Sequence, residues 1–95
     1  MAVGDAKSAL VSVADGEFLD IRPPTGEEWI IHNITCSANC ELYYTDGTNY
    51  ILVDTLVGPG GWLNFNFHVT NSRWYAVKNV SGGTALIGYD GIQSR

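Results

Sequence analysis

The residues of this chain best suited to chemistry are two histidines, His32 and His68, two cysteines, Cys36 and Cys40, the acid pair Glu27-Glu28, and Asp54. Each lacks a partner that its chemistry needs. A structural zinc wants four ligands, and neither histidine clusters in sequence with the cysteine pair. A small metal-binding barrel would want a third histidine or a well-placed glutamate beside His32 and His68. A single histidine on an apolar strand face reads instead as a hydrogen-bonded core residue. Nucleophilic catalysis needs a base beside the nucleophile, and there is no Gly-x-Ser-x-Gly elbow to present a serine. Glu27 and Glu28 would have to converge on one glycosidic bond, yet adjacent strand residues point to opposite faces. Asp54, among Leu52, Val53 and Leu56, reads as an edge or solvent-facing carboxylate. Gly58-Pro59-Gly60-Gly61 is followed by neither Lys-Ser/Thr nor a helix, so it is a tight connection and not a phosphate cradle. Asn33-Ile34-Thr35 and Asn79-Val80-Ser81 match the glycosylation pattern, but both fall inside expected strands. The expectation is a protein without catalytic residues, metal or other cofactor.

Cys36 and Cys40 are four residues apart. A hairpin turn at Ser37-Ala38-Asn39 would bring them within disulfide range. In a reducing cytoplasm the compartment rule favours two small buried hydrophobes, with the disulfide as the alternative.

Charge narrows the partners. Five Lys and Arg against ten Asp and Glu give a net charge of −5. The basic residues Lys7, Arg22, Arg73, Lys78 and Arg95 are scattered singly, whereas nucleic-acid binding rests on clustered ones. No apolar run approaches the ~20 residues of a membrane-spanning helix. The first residues have neither the basic nor the apolar region of a signal peptide. These features predict cytoplasmic synthesis, no direct nucleic-acid contact and no membrane.

The elements that would position these residues are short strands. Turn signals recur at Asp15-Gly16, Pro23-Pro24-Thr25-Gly26, Asp46-Gly47, Gly58-Pro59-Gly60-Gly61, Asn71-Ser72, Ser81-Gly82-Gly83 and Asp90-Gly91. Between them lie runs rich in β-branched and aromatic residues: 8–13, 18–21, 28–36, 40–45, 50–57, 62–69, 73–80 and 84–89. About eight strands at this spacing predict an all-β, antiparallel sandwich or barrel, of which the sandwich is the expected form. In 62–69 the alternation sets Leu63, Phe65, Phe67 and Val69 on one face and Asn64, Asn66 and His68 on the other. Ile30, Ile34 and Cys36 are expected to share a face, with His32 between them. Residues 1–8 are small and unpatterned and read as an N-terminal arm, leaving 9–95 as a single domain.

Aromatic residues carry what function remains. Trp29 and Trp74 are expected in the core. Tyr43 and Trp62 alternate out of phase with the apolar set of their strands and are expected to be exposed anchors for a protein partner, since Trp and Tyr dominate interface hot spots. With Ala2, Val3 and Lys7 of the arm they form the candidate contact set. Exposed aromatics would also suit sugar rings.

One family resemblance spans the chain from about residue 17. It is carried by Pro23-Pro24-Thr25-Gly26-Glu27-Glu28-Trp29-Ile30-Ile31-His32-Asn33-Ile34, Tyr44-Thr45-Asp46-Gly47-Thr48 and Gly58-Pro59-Gly60-Gly61-Trp62-Leu63. Phe67 to Tyr75, Asn79-Val80-Ser81-Gly82 and Ile87 to Gln93 complete it. In order and spacing these segments resemble small jelly-roll virion proteins of tailed bacteriophages, several of which are capsid decoration, or cement, proteins. The resemblance implies a jelly-roll topology, a homotrimer and the major capsid protein as partner. It also implies a place on the outer surface of the virion after assembly in the host cytoplasm. A tail or head-fibre protein, or a carbohydrate-binding module aiding adsorption, is the alternative.

Overall fold

Nine β-strands and no helix occur among the residues that the computed structural model describes, 3–95. They are β1 (Ala6–Val13), β2 (Phe18–Ile21), β3 (Glu28–Cys36), β4 (Cys40–Thr45), β5 (Tyr50–Leu56), β6 (Gly60–Trp62), β7 (Phe67–Thr70), β8 (Trp74–Asn79) and β9 (Ala85–Gln93). One sheet runs β1-β9-β3, with β6 and β7 both paired to the far side of β3. The other runs β2-β8-β4-β5. Every pairing is antiparallel, and the two sheets close on a common core. Of the sandwich and barrel that the strand pattern allows, this is the antiparallel β-sandwich.

The core is aliphatic where the sheets meet. Ile21, Leu42 and Val77 come from one sheet and Ile31, Ile34, Val69 and Ile87 from the other, each at most 1% exposed. Full burial of one such side chain stabilises the fold by about 1.5–3 kcal/mol. Trp29 and Trp74 are buried as expected. Asn79, also buried, donates through Nδ2 to the carbonyls of Val13 (2.8 Å) and Gly83 (2.6 Å), which ties the ends of β1 and β8 together.

Two local irregularities change the faces read from the sequence. The register of β3 on β9 slips between Ile31 and Asn33. This bulge reverses the parity of the strand, so Trp29 and Ile31 point inward before it, and Ile34 and Cys36 after it. Ile30, expected inward, is only half-buried. Opposite the bulge Gly91 lies so close that a Cβ there would collide with the Ile30 carbonyl, and Asp90-Gly91, read as a turn from the sequence, lies inside β9.

The second irregularity splits the expected strand 62–69. Trp62 pairs with Ile34 and Phe67 with Ile31, so four residues, 63–66, must span what two residues of β3 span. The excess loops outward at Asn64, whose φ of 62° is left-handed, a conformation asparagine tolerates better than most. Asn33 Oδ1 accepts from Asn64 N–H at 3.0 Å, and the His32 carbonyl from Phe65 N–H at 3.0 Å. Leu63 and Phe65 are therefore half exposed, while Phe67 and Val69 are buried. The alternation expected across 62–69 is broken, and with it the phase that put Trp62 outside.

Residues 6–8, expected in the N-terminal arm, belong to β1. Gly4 N–H donates to the Gln93 carbonyl at 2.7 Å, and Gln93 N–H donates to the Asp5 carbonyl at 2.9 Å. The chain thus runs beside β9 from Gly4, and β1 begins at Ala6. Cys36 and Cys40 are not two separate thiols. They are joined as a disulfide at the crossing from β3 in one sheet to β4 in the other, with both side chains buried. The turn Ser37-Ala38-Asn39 brings both cysteines to the interior.

Candidate interaction surface

The outer face of the four-stranded sheet carries an aromatic cluster. Phe18 opens β2, Tyr43 lies in the middle of β4 and Tyr50 opens β5. Phe18 stands 5.5 Å from Tyr43 and 5.2 Å from Tyr50, and Tyr43 stands 6.2 Å from Tyr50. Two of the three contacts are edge-to-face, the geometry preferred by ring quadrupoles, so the rings lean on one another and do not lie coplanar as a platform. Lys78 reaches to 5.8 Å from the Phe18 ring centre. Leu52, directly opposite Tyr43 in the ladder, extends the apolar surface onto β5. The Tyr43 hydroxyl donates to Glu41 Oε1 at 2.7 Å, a hydrogen bond to a carboxylate that holds the phenol in its protonated form and pushes its pKa up.

Beside this cluster β5 is exposed on both faces. Tyr50, Ile51, Leu52 and Val53 are 45%, 64%, 51% and 50% exposed, and the strand is the last of its sheet. Two carboxylates hold it. Asp46, in the β4–β5 turn, accepts from the backbone N–H groups of Asn49 and Thr48 at 2.7 and 2.9 Å, which lowers its pKa to about 2. Asp54 accepts from the Trp62 indole N–H at 2.7 Å and from Thr55 N–H at 2.8 Å, and these donors hold its carboxyl below the usual aspartate value.

The candidate contact residues therefore separate. Tyr43, expected to be exposed, is half-buried between Phe18 and Tyr50 in the aromatic cluster, and Val3 is 70% exposed. Trp62 is not an exposed anchor: it is 7% exposed, packed in the core and clasped by Asp54. Lys7 is not on a free arm. It is the second residue of β1, 7% exposed, 3.6 Å from Glu27 and over the Trp29 ring. Ala2 lies outside the described residues. Phe18, Ile51 and Val53 were not singled out from the sequence; the absence of charge from 50 to 53 was the available signal for β5.

The chemistry-bearing residues stay apart. His32 Nδ1 lies 3.3 Å from the Phe65 carbonyl, whereas His68 Nε2 is 2.8 Å from Glu28 Oε1, with Arg95 on the other carboxylate oxygen. Glu27 turns the opposite way, to Lys7 and the Trp29 indole. Among the described residues no three His, Cys, Asp or Glu side chains group as metal ligands would. No protein-family model matches the chain, and no curated protein sequence matches it.

Proposed function

We propose that this chain is a structural protein of a tailed-bacteriophage virion, a decoration protein that binds the outer face of the head lattice and bridges capsid subunits. The observation that carries the reading is the apolar surface made by exposed Phe18 and Tyr50, half-buried Tyr43 between them, and β5. Monomers leave such patches where another protein docks, and aromatic residues dominate the energy of docking. The acidic balance of the chain suits a protein that faces outward, away from packaged nucleic acid. The strand order supports the finer assignment of the fold. β1, β9, β3 and β6/β7 in one sheet, with β2, β8, β4 and β5 in the other, suits a jelly roll, a double-sheet fold of two Greek keys.

The mechanism is mechanical. Each copy contacts neighbouring capsid subunits through interfaces of ordinary size, about 1,200–2,000 Å². Several modest contacts made at once gain through effective concentration. Quantitative mass spectrometry of purified virions tests the reading. Copy number near that of the major capsid protein is expected, and a handful of copies per particle, as for a tail or fibre part, would overturn it.

A further inference from the structure

The five outermost strands of the two sheets are not equivalent. β2, β6 and β7 are only four, three and four residues long, too short to template a stable pairing. β5 is longer, but its register breaks at Val53 and the Asp54 carboxylate occupies the N–H of Thr55. A bulge and a charge are two of the devices by which edges are blunted against strand addition. β1 has neither. It pairs with β9 over eight residues in unbroken register, Ala6 opposite Ile92 through Val13 opposite Ala85. No strand among the described residues covers its other side. From Ser8 to Ala14 it carries no charge. Its one charged residue, Lys7, is turned inward and engaged by Glu27 and Trp29. Leu10 is 70% exposed in the middle of the strand, folded over Gly88, where a Cβ would stand 3.0 Å from Leu10 Cδ1.

From this asymmetry we infer that β1 is a self-pairing edge and that its occupant is β1 of a second copy of this chain, antiparallel across a twofold axis at Leu10. A twofold contact matches a strand to itself, so each pairing must place residues of one face opposite residues of the same face. With Leu10 opposite Leu10 this holds throughout. Ser8 then meets Ser12, Ala9 meets Val11 and Lys7 meets Val13, so no charge faces a like charge, and the Leu10 side chains meet on the axis. Cross-strand pairs of these types are favourable. The joined sheets gain the hydrogen bonds that the open edge lacks. The contact is smaller than a standard interface, so the dimer is weak in solution and strengthens where copies are held near one another. It is twofold and therefore separate from any threefold cluster, and it stands or falls independently of the virion reading.

A charge swap on the axis tests it. Leu10 is exposed, so Leu10→Lys and Leu10→Glu leave the fold intact, checked by unchanged circular dichroism. Sedimentation velocity of the unsubstituted chain from 10 to 500 μM should show dimer growing with concentration. Each variant alone should sediment as a monomer, because like charges meet on the axis. An equimolar mixture of the two should restore the dimer. A monomer at every concentration would overturn the inference, as would a dimer or trimer that both variants leave unchanged. Loss in both variants without rescue in the mixture would overturn the Leu10 register.

Discussion

The two long outer strands, β1 and β5, solve opposite problems. β5 exposes more apolar surface but is locked in its own domain. A turn aspartate fixes its start, an edge aspartate occupies its free N–H, and a bulge spoils its register. β1 exposes less and is regular, uncharged at its centre and open. A β-sandwich has edges it cannot close, and this chain guards one where a broad apolar face lies beside it while leaving straight the one whose pairing is self-complementary. Side-chain docking on the first and backbone pairing on the second need not compete, because they lie on different sheets.

The largest expected effect removes the guard from within. Trp62→Ala deletes a buried ring and the indole that orients Asp54; a loss of about 3–5 kcal/mol is expected for such a truncation, read as a fall in denaturation midpoint. If β5 stays as protected from amide exchange as before, Trp62 does not position it. The disulfide comes next. Replacing both Cys36 and Cys40 with serine should cost about 2 kcal/mol, as the closed loop is short. Because the bond joins the sheets at the β3–β4 crossing, the loss should appear in thermal unfolding and leave the edge contrast unchanged.

Acid sharpens the contrast further. Asp46 and Asp54 both titrate lower in the folded chain than free aspartate, whose pKa is about 3.9. Their support is therefore complete above about pH 4 and is lost as pH falls through the folded values, near 2 for Asp46. Between pH 4 and 2 amide exchange should accelerate in β5 before β1, and light scattering should rise as the unguarded strand associates. Equal acceleration in both strands would remove the role assigned to the two carboxylates. The smallest effect is that of Tyr43→Phe, which removes the hydroxyl bound to Glu41 and keeps the ring. Stability should change by less than about 0.5 kcal/mol, and occupancy on virion heads should persist, whereas Tyr43→Ala should lower occupancy at least about tenfold.

Period-two alternation and turn residues made the sandwich legible, and strands such as 18–21, 28–36 and 40–45 begin and end where the sequence pattern does. What escaped was parity. A single bulge at His32 moves Ile30 outward and Ile31 inward, and four residues spanning a two-residue gap push Leu63 and Phe65 out while drawing Trp62 in. Such register slips arise from the fit between strands far apart in sequence, so neither strand announces them alone. Lys7 misled for a related reason: its partners, Glu27 and Trp29, are brought beside it only when β1 joins the sheet. The aromatic cluster was half visible, as Tyr43 in the correct phase, but Phe18 and Tyr50 join it from two other strands.

Amide hydrogen exchange measured as a function of protein concentration tests the contrast between the two edges most directly. Protection should rise with concentration in Ser8–Val13 and stay constant in Tyr50–Leu56 at neutral pH. Concentration-dependent protection in β5 with none in β1 would contradict it.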